Sequence, residues 1–280
     1  MSPGTSATSQ VAEWDAVAPV GHGVALEPAL RAARDGGRKL LVTYVTGGIR
    51  ADWLDVAGAM VDGGADAVEI GLPFSDPVMD GPTIQEAAVA ALAGGATPLS
   101  IMDQLRPMEL PVPLVAMTYY NLVVRSGHRR FAALLVGSGV RGAILPDVPL
   151  EELADWERAA AWAGVAPVLL AAPVSPDDRL EALCARSRGF VYGVNVMGVT
   201  GERASVAASA ALLAKRLKAI TDLPVVMGLG VSSPAQARAI AASADGVVVG
   251  SALMRLVLDG STPAQVGAAV GALRDALDEG

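Results

Sequence analysis

Residues 67–83 read AVEIGLPFSDPVMDGPT and contain the unit from which this chain is built. A short apolar run comes first, a loop rich in proline and aspartate follows, and the Ala-rich sequence after the loop is typical of a helix. Alternation of short apolar runs with helical stretches is the pattern of parallel βαβ structure. The run is apolar almost throughout, as expected for a strand that is covered on both faces.

The same unit occurs eight times after Lys39. The runs lie at 40–45, 67–70, 114–119, 142–145, 167–171, 189–194, 224–227 and 246–249. Eight strand-helix repeats in about 240 residues predict a single closed (β/α)8 TIM barrel, an α/β fold, with an additional N-terminal helix over 27–35. An open doubly wound sheet is the alternative, but no G-x-G-x-x-G motif follows the first run to favour it.

The barrel domain is predicted to cover residues 24–280. Residues 1–23 are rich in Ser, Thr, Pro, Gly and Ala and predict a flexible extension, in which no secretory signal is recognisable. The uncharged stretch 159–176 has the length of a membrane helix, but three prolines interrupt it. We therefore expect the end of a helix and a buried strand there, and no membrane span.

The composition excludes several classes of partner and site. The 280 residues carry a formal net charge of −8, and the isoelectric point is near 4.8, so neither nucleic acid nor an anionic membrane surface is expected as a partner. The single cysteine, Cys184, excludes an intrachain disulfide and fits a cytoplasmic location. Two histidines, His22 and His128, are too few for a histidine-rich zinc site.

Catalytic groups of a TIM barrel come from the C-terminal ends of the strands and the loops after them. Glu69 lies at the end of the second run, and its alternation partners Ala67 and Gly71 are small enough to leave space around its carboxylate. A carboxyl group at an apolar barrel mouth is expected to have a raised pKa, which suits acid–base catalysis. The alternative is a structural glutamate that is paired with an arginine.

Two aspartates lie in the loop after the second run. Asp80 precedes Gly81 and Pro82, and we expect its carboxylate either to point into the barrel mouth or to serve the turn itself. Asp76, between a serine and a proline, is either an Asx-turn residue or a contact to another chain. Tyrosines at or beyond the third and sixth runs supply hydroxyls or ring surface to the mouth, or belong to the core: Tyr119, Tyr120 and Tyr192.

Glycines after the seventh and eighth runs predict a phosphate site. Residues 228–232 read GLGVS, and Gly250-Ser251 opens a helix directly after the eighth run. Glycine lets backbone N–H groups approach an anion closely, and a helix N-terminus adds partial positive charge. These two loops form the usual phosphate site of such barrels. The GVTG loop at 198–201 is a candidate lid.

None of the lysines is expected at the barrel mouth, where a Schiff base with a substrate would form. Lys39 precedes the first run, and Lys215 and Lys218 lie in a predicted helix, so none reaches the barrel mouth. What remains is acid–base chemistry by carboxylates on a phosphorylated substrate, without a metal ion or cofactor in this chain.

Seven segments resemble, in order, the motifs of the tryptophan synthase α subunit family. They are 68–77, 80–85, 119–121, 146–149, 198–201, 228–232 and 250–251. The resemblance implies retro-aldol cleavage of indole-3-glycerol phosphate to indole and glyceraldehyde 3-phosphate. Carried over by position, Glu69 would be the acid–base residue and Asp80 would hold the indole N–H, with Tyr119 supporting the site.

The resemblance also implies roles for residues around these two carboxylates. Thr200 would hydrogen-bond Asp80 when the loop after the sixth run closes, and Tyr192 and Ile84 would line the indole pocket. The substrate phosphate would be bound by Gly201, Gly230, Gly250 and Ser251.

A partner is implied as well. The family resemblance points to a pyridoxal-phosphate β subunit that consumes indole in an α2β2 assembly, with Pro73 and Asp76 as candidate contacts; the pyridoxal phosphate belongs to that partner. The sequence departs from the family pattern at residues 46–50, TGGIR, where many members have an acidic or aromatic residue before a proline. Two other functions stay open: an indole-3-glycerol-phosphate lyase that acts alone in a specialised pathway, and a non-catalytic binding or regulatory barrel.

Overall fold

A computed structural model describes residues 18–194, 203–228 and 230–279 of the chain. The strands are β1 Leu40–Thr46, β2 Ala67–Gly71, β3 Leu114–Met117, β4 Val140–Ile144, β5 Ala166–Ala171, β6 Val191–Val194, β7 Val225–Gly228 and β8 Gly246–Val249. The helices within the described ranges are α1 Leu26–Asp35, α2 Trp53–Asp62, α3 Pro82–Ala93, α4 Pro98–Leu105, α5 Tyr120–Ser126, α6 His128–Gly137, α7 Ala154–Ala163, α8 Asp177–Arg186, α9 Arg203–Ile220, α10 Pro234–Ala241, α11 Ser251–Leu258 and α12 Pro263–Asp278, and a 3-10 turn covers Leu150–Glu152.

The eight strands form a closed parallel barrel. Each strand pairs with the next one in sequence, and β1 pairs with β8 to complete the ring. The closure leaves no sheet edge, and helices cover the outer face, so the strands are buried on both sides. The predicted TIM barrel with an additional N-terminal helix is confirmed.

Two apolar layers hold the barrel together. Alternate residues of the strands point inward and fill the interior, while the others pack against the ring of helices. The inner layer includes Leu40, Val42, Ala67, Val115, Ile144, Val168, Phe190, Tyr192, Val226 and Val248. Because the inner layer is packed with side chains, a ligand has room only above it, at one end of the barrel.

Helix α1 closes the N-terminal end of the barrel. Leu26 and Leu30 pack into the inner layer, and the Leu26 side chain lies over Gly142 and Gly189, where a Cβ would come within 2.6 and 2.5 Å of it. The Glu27 carboxylate accepts a hydrogen bond from the Gly189 N–H at 3.0 Å. With this end plugged, the C-terminal ends of the strands are the open mouth.

Strand ends differ from the sequence prediction where the backbone turns early. The third run was expected to continue to residue 119, but β3 ends at Met117 because Tyr119 already precedes α5 as its N-cap. The sixth run was expected from residue 189, but Gly189 has a φ of +86° and β6 starts at Val191. A positive φ is incompatible with strand geometry.

The long uncharged stretch folds as predicted. Its first part is the end of α7 and its second part is β5. Across the described ranges, no helix is both long and apolar enough to cross a membrane. At the start of the described chain, residues 18–23 form neither helix nor strand, and Arg141 donates hydrogen bonds to the carbonyls of Gly21 and His22 at 2.8 and 3.0 Å.

Candidate active site

Inward-facing side chains of β1, β2 and β6 converge at the mouth of the barrel. Tyr44 and Glu69 are opposite each other in the register of β1 and β2. If residue 71 had a Cβ, that atom would lie 1.9 Å from the Tyr44 hydroxyl. A Cβ on residue 228 would likewise lie 2.2 Å from a ring carbon of Tyr192. Gly71 and Gly228 therefore make room for the two rings. The space beside Gly71, predicted to surround the carboxylate, is taken by the Tyr44 hydroxyl.

Among the described residues, Glu69 is a buried carboxyl group without an ion-pair partner. Its side chain is 1% exposed, and in the described part of the chain Oε1 has no hydrogen-bond partner. Burial raises its pKa to about 8, because removal from water disfavours the charged form. The alternative of a structural glutamate paired with an arginine has no support among the described ion pairs. A carboxyl group with this pKa both donates and accepts a proton near neutral pH.

Asp80 is held in the loop between β2 and α3. The Tyr119 hydroxyl donates a hydrogen bond to Asp80 Oδ2 at 3.2 Å and accepts one from the Met79 N–H at 2.9 Å. Gln85 Nε2 donates to the carbonyls of Asp80 and Pro77 at 3.0 and 3.3 Å, which fixes the loop to the start of α3. Burial raises the pKa of Asp80 to about 6, and the Tyr119 hydrogen bond opposes this rise. Asp80 is thus mostly ionised at neutral pH while Glu69 is mostly protonated.

A narrow cavity with polar and apolar walls adjoins Asp80 between the β2–α3 loop and the end of β3. Phe74 stacks on Tyr119 with ring centroids 5.0 Å apart, and Ile84 lines the cavity from α3. Aromatic and aliphatic side chains beside one carboxylate are groups that suit a planar ring with an N–H donor, although the cavity is narrower than such a ring. The other lining residues are Tyr44, Leu72, Pro73, Ala88, Met117, Thr118 and Pro146.

The two predicted contact residues of this loop differ in exposure. Pro73 is buried and lines the cavity, whereas Asp76 is exposed and accepts a hydrogen bond from the Ser75 hydroxyl at 2.6 Å. The exposed apolar side chains of the loop are Val78 and Met79, at 74% and 50%. The outward surface of this loop therefore includes Asp76, Val78 and Met79.

The turns after β7 and β8 are adjacent because the two strands pair with each other. Gly230 has a φ of +71°, which a residue with a Cβ rarely adopts. Gly250 is the N-cap residue of α11, and Ser251 is the first residue of that helix. Backbone N–H groups at a helix start lack intrahelical acceptors, so this corner of the mouth presents donors to an anion.

Two predicted site residues, Thr200 and Gly201, lie outside the described residues. The described residues bring together Glu69, Asp80, Tyr119 and Tyr192 at the mouth, with Gly230, Gly250 and Ser251 in the turns after β7 and β8. In the described ranges, no group of three or more His, Cys, Asp and Glu side chains is arranged to hold a metal ion.

Sequence reasoning missed two polar residues of the mouth. Tyr44 lies within the apolar run predicted at 40–45, and Thr46 follows that run directly. The Thr46 hydroxyl donates to the Tyr44 hydroxyl at 3.2 Å. The usable signal was the inward alternation from Val42 to Tyr44 at the C-terminal end of the first strand. Asp147, in one of the family-like segments, accepts a hydrogen bond from the Tyr120 N–H at 2.8 Å and so helps to fix the start of α5.

Comparisons with known proteins identify the family of this chain. A family model described as tryptophan synthase alpha chain matches residues 30–275. The tryptophan synthase alpha chain of Streptomyces avermitilis is 45% identical over 263 residues, 92% of this chain and 95% of that protein. That of Streptomyces coelicolor is 47% identical over 243 residues, 84% of this chain and 88% of that protein.

Solved structures show the same fold over nearly the whole domain. A structure of Mycobacterium tuberculosis tryptophan synthase superimposes with a TM-score of 0.83 and 38% identity, and covers 91% of this chain and 99% of that chain. An alpha subunit structure from Legionella pneumophila gives a TM-score of 0.81 at 29% identity, with 91% and 98% coverage. From the family model, the relatives and the structures together, the chain belongs to the tryptophan synthase alpha chain family.

Proposed function

We propose that this chain cleaves indole-3-glycerol phosphate to indole and glyceraldehyde 3-phosphate as a step of tryptophan biosynthesis. The observation that carries the proposal is the pair of carboxyl groups at one barrel mouth, Glu69 with a pKa raised to about 8 and Asp80 with a pKa raised to about 6. Family membership names the substrate, and the pair supplies the acid and the anion that this cleavage needs.

Glu69 carries the proton transfers in this proposal. Protonated Glu69 first supports protonation of indole carbon 3, which leaves positive charge on the ring. As a carboxylate it then accepts the proton of the adjacent glycerol hydroxyl. The carbon–carbon bond breaks, its electron pair returns to the ring, and the hydroxyl-bearing carbon becomes the aldehyde. One proton is given and one is taken back, so the enzyme ends as it began.

Asp80 stabilises the charge that develops between these two steps. Its ionised carboxylate accepts the hydrogen bond of the indole N–H, and the Tyr119 hydroxyl fixes the direction of the carboxylate. The indole ring lies beside Asp80 and against Ile84 in this proposal, which requires the narrow cavity there to widen; Tyr192 bounds the mouth from β6. A preorganised anion beside a developing cation lowers the barrier without any reorganisation of solvent.

The phosphate is held by backbone donors in the turns of Gly230, Gly250 and Ser251, and by Gly201 in the proposed lid. No basic side chain is needed at this corner, which explains how a chain with a net charge of −8 binds an anion. The chemistry requires no metal ion or cofactor in this chain.

The partner is proposed to be a pyridoxal-phosphate β subunit in an α2β2 complex in the cytoplasm. The exposed side chains of Val78 and Met79 on the β2–α3 loop supply apolar surface for the contact, next to the exposed Asp76. Because this loop also holds Asp80, a partner seated on it acts directly on the catalytic carboxylate.

The test is indole release from indole-3-glycerol phosphate by the purified chain, alone and with a purified tryptophan synthase β subunit. We expect indole in both cases and a higher rate with the β subunit. Absence of indole under both conditions would overturn the assigned reaction. A rate that the β subunit leaves unchanged, with no complex in size-exclusion chromatography, would overturn only the partner.

A further inference from the structure

A buried tyrosine hydroxyl lies beside the catalytic carboxyl groups, and the proposed chemistry leaves it without a role. Tyr44 is 7% exposed, and it is opposite Glu69 in the strand register. Its hydroxyl lies over Gly71, the next inward position above Glu69, about 7 Å further along β2. The hydroxyl is therefore on the mouth side of Glu69, within reach of an extended glutamate side chain.

Among the described hydrogen bonds, the Tyr44 hydroxyl accepts one and donates none. Thr46 donates to the Tyr44 oxygen at 3.2 Å, so the proton of Tyr44 is free to point elsewhere, and buried hydroxyls are normally hydrogen-bonded. Asp80 already accepts from Tyr119 at 3.2 Å. Within the described ranges, Glu69 Oε1 has no partner. A donor without an acceptor and an acceptor without a donor thus belong to paired, inward-facing residues of β1 and β2.

We propose that Tyr44 is a positioning residue whose hydroxyl, oriented by Thr46, hydrogen-bonds the ionised Glu69 carboxylate and holds it toward the barrel mouth. The inference deepens the proposed function and rests on it for the catalytic meaning of Glu69. In this position the carboxylate points to the side from which substrate enters, and it is ready to accept the hydroxyl proton.

The hydrogen bond acts on the protonation of Glu69 in a definite direction. The groups that face Glu69 are Tyr44 from β1, Tyr192 from β6 and Asp80 from the loop after β2, with Tyr119 behind Asp80. Burial raises the pKa of Glu69, whereas a hydrogen bond to the charged form lowers it. Loss of the Tyr44 hydroxyl therefore makes Glu69 a base only at higher pH.

Three variants in the full-length chain test the proposal. Tyr44→Phe removes the hydroxyl and keeps the ring, and Thr46→Val removes the group that orients it. Thr43→Val is the matched control, because Thr43 lies on the same strand, is fully buried, and its hydroxyl has no partner in the described part of the chain. The first readout is the pH titration of the Glu69 side-chain carboxyl carbon by 13C NMR, assigned by its absence in Glu69→Gln. The second readout is the pH dependence of kcat/KM for indole release.

We expect the titration midpoint of Glu69 to rise by about one pH unit in Tyr44→Phe, by less in Thr46→Val, and not at all in Thr43→Val. The alkaline limb of kcat/KM, which follows the loss of protonated Glu69 in the free enzyme, should move to higher pH by the same amount, with kcat reduced and KM nearly unchanged. A midpoint in Tyr44→Phe equal to that of the unmodified chain, in a protein with the same thermal midpoint, would overturn the proposal, as would a change in KM alone. The NMR titration needs no turnover, so it tests the Tyr44–Glu69 contact even in a chain that releases no indole. Absence of indole release by the unmodified chain would instead reject the proposed function.

Discussion

The hydroxyl of Tyr119 lies 3.2 Å from Asp80 Oδ2 and 2.9 Å from the Met79 N–H, so one phenol joins the end of β3 to the catalytic loop. The direction of the bonds matters, because the backbone N–H occupies the acceptor side of the hydroxyl and leaves its proton for the carboxylate. The carboxylate is thereby kept in one orientation and is favoured in its charged form.

Replacement of Tyr119 by phenylalanine should weaken the charge stabilisation at Asp80. The hydrogen bond lowers the pKa of Asp80 against the rise caused by burial, so its loss raises that pKa and leaves less carboxylate at pH 7. We expect kcat/KM for indole release at pH 7 to fall about tenfold or more, with part of the activity recovered at higher pH. Tyr120→Phe is the control, since the Tyr120 hydroxyl contacts His128 at 2.8 Å, away from Asp80; an equal loss in both variants would contradict the assigned role.

The burial of Glu69 should also be visible in the stability of the protein. An unfolded glutamate titrates near 4.5, whereas folding raises the pKa of Glu69 to about 8. Between these values the unfolded chain releases the proton first, so the free energy of unfolding falls as pH rises from about 4.5 to about 8. Glu69→Gln has no carboxyl group to ionise at this position. Its free energy of unfolding at pH 8 should therefore exceed that of the unmodified chain by a few kcal/mol, on the order of 1.4 kcal/mol per unit of pKa shift.

Urea unfolding at pH 5 and pH 8 checks this difference. Glu181→Gln serves as the control, because Glu181 is exposed on α8. A stability difference between Glu69→Gln and the unmodified chain that does not grow with pH would show that the carboxyl group is not buried in the folded protein.

Gly71 should tolerate no side chain. A Cβ there would lie 1.9 Å from the Tyr44 hydroxyl and 2.5 Å from the ring carbon that bears it, so either the Tyr44 ring or one of the two strands must shift. We expect Gly71→Ala to lower the free energy of unfolding by about 1–3 kcal/mol and to reduce activity. Gly58→Ala in helix α2, where a Cβ meets nothing within 4 Å, should instead stabilise the protein by about 0.5–1 kcal/mol. Equal effects of the two substitutions in urea unfolding would contradict the packing of Tyr44 over Gly71.

A negative charge at the first residue of α11 should compete with the substrate phosphate. Ser251 follows the N-cap Gly250, where an aspartate is favourable for the helix itself. Ser251→Asp should therefore keep its thermal stability while KM for indole-3-glycerol phosphate rises about tenfold through charge repulsion. Ser261→Asp, beyond the C-terminal end of the same helix, should leave KM unchanged. An unchanged KM in Ser251→Asp would place the phosphate elsewhere.

The barrel was predictable because its signal is repeated eight times. Each strand is a short apolar run, and each helix has apolar residues at helical spacing. An error at one boundary, such as the end of β3, therefore does not alter the predicted topology. Glu69 could be selected as a candidate because a carboxylate within an apolar run is expensive to bury and therefore needs a reason. Asp80 could be selected only as one of two aspartates in the loop that follows.

The part that could not be predicted depends on register. Tyr44 looks like any aromatic residue of a core strand, and only the pairing of β1 with β2 shows that its hydroxyl lies over Gly71. The hydrogen bond from Tyr119 to Asp80 similarly joins residues 39 positions apart in the chain. Sequence spacing carries no information about such distances, because the loops between strands vary in length.

The most direct test of the central claim is indole release from indole-3-glycerol phosphate by Glu69→Gln beside Glu181→Gln and the unmodified chain, each at equal concentration with the β subunit present. Glutamine fills the same volume but neither gives nor takes a proton. Glu69→Gln should release no indole above background while it remains folded, and Glu181→Gln should match the unmodified chain. Indole release by Glu69→Gln at the rate of the unmodified chain would contradict the assignment of Glu69 as the acid–base residue.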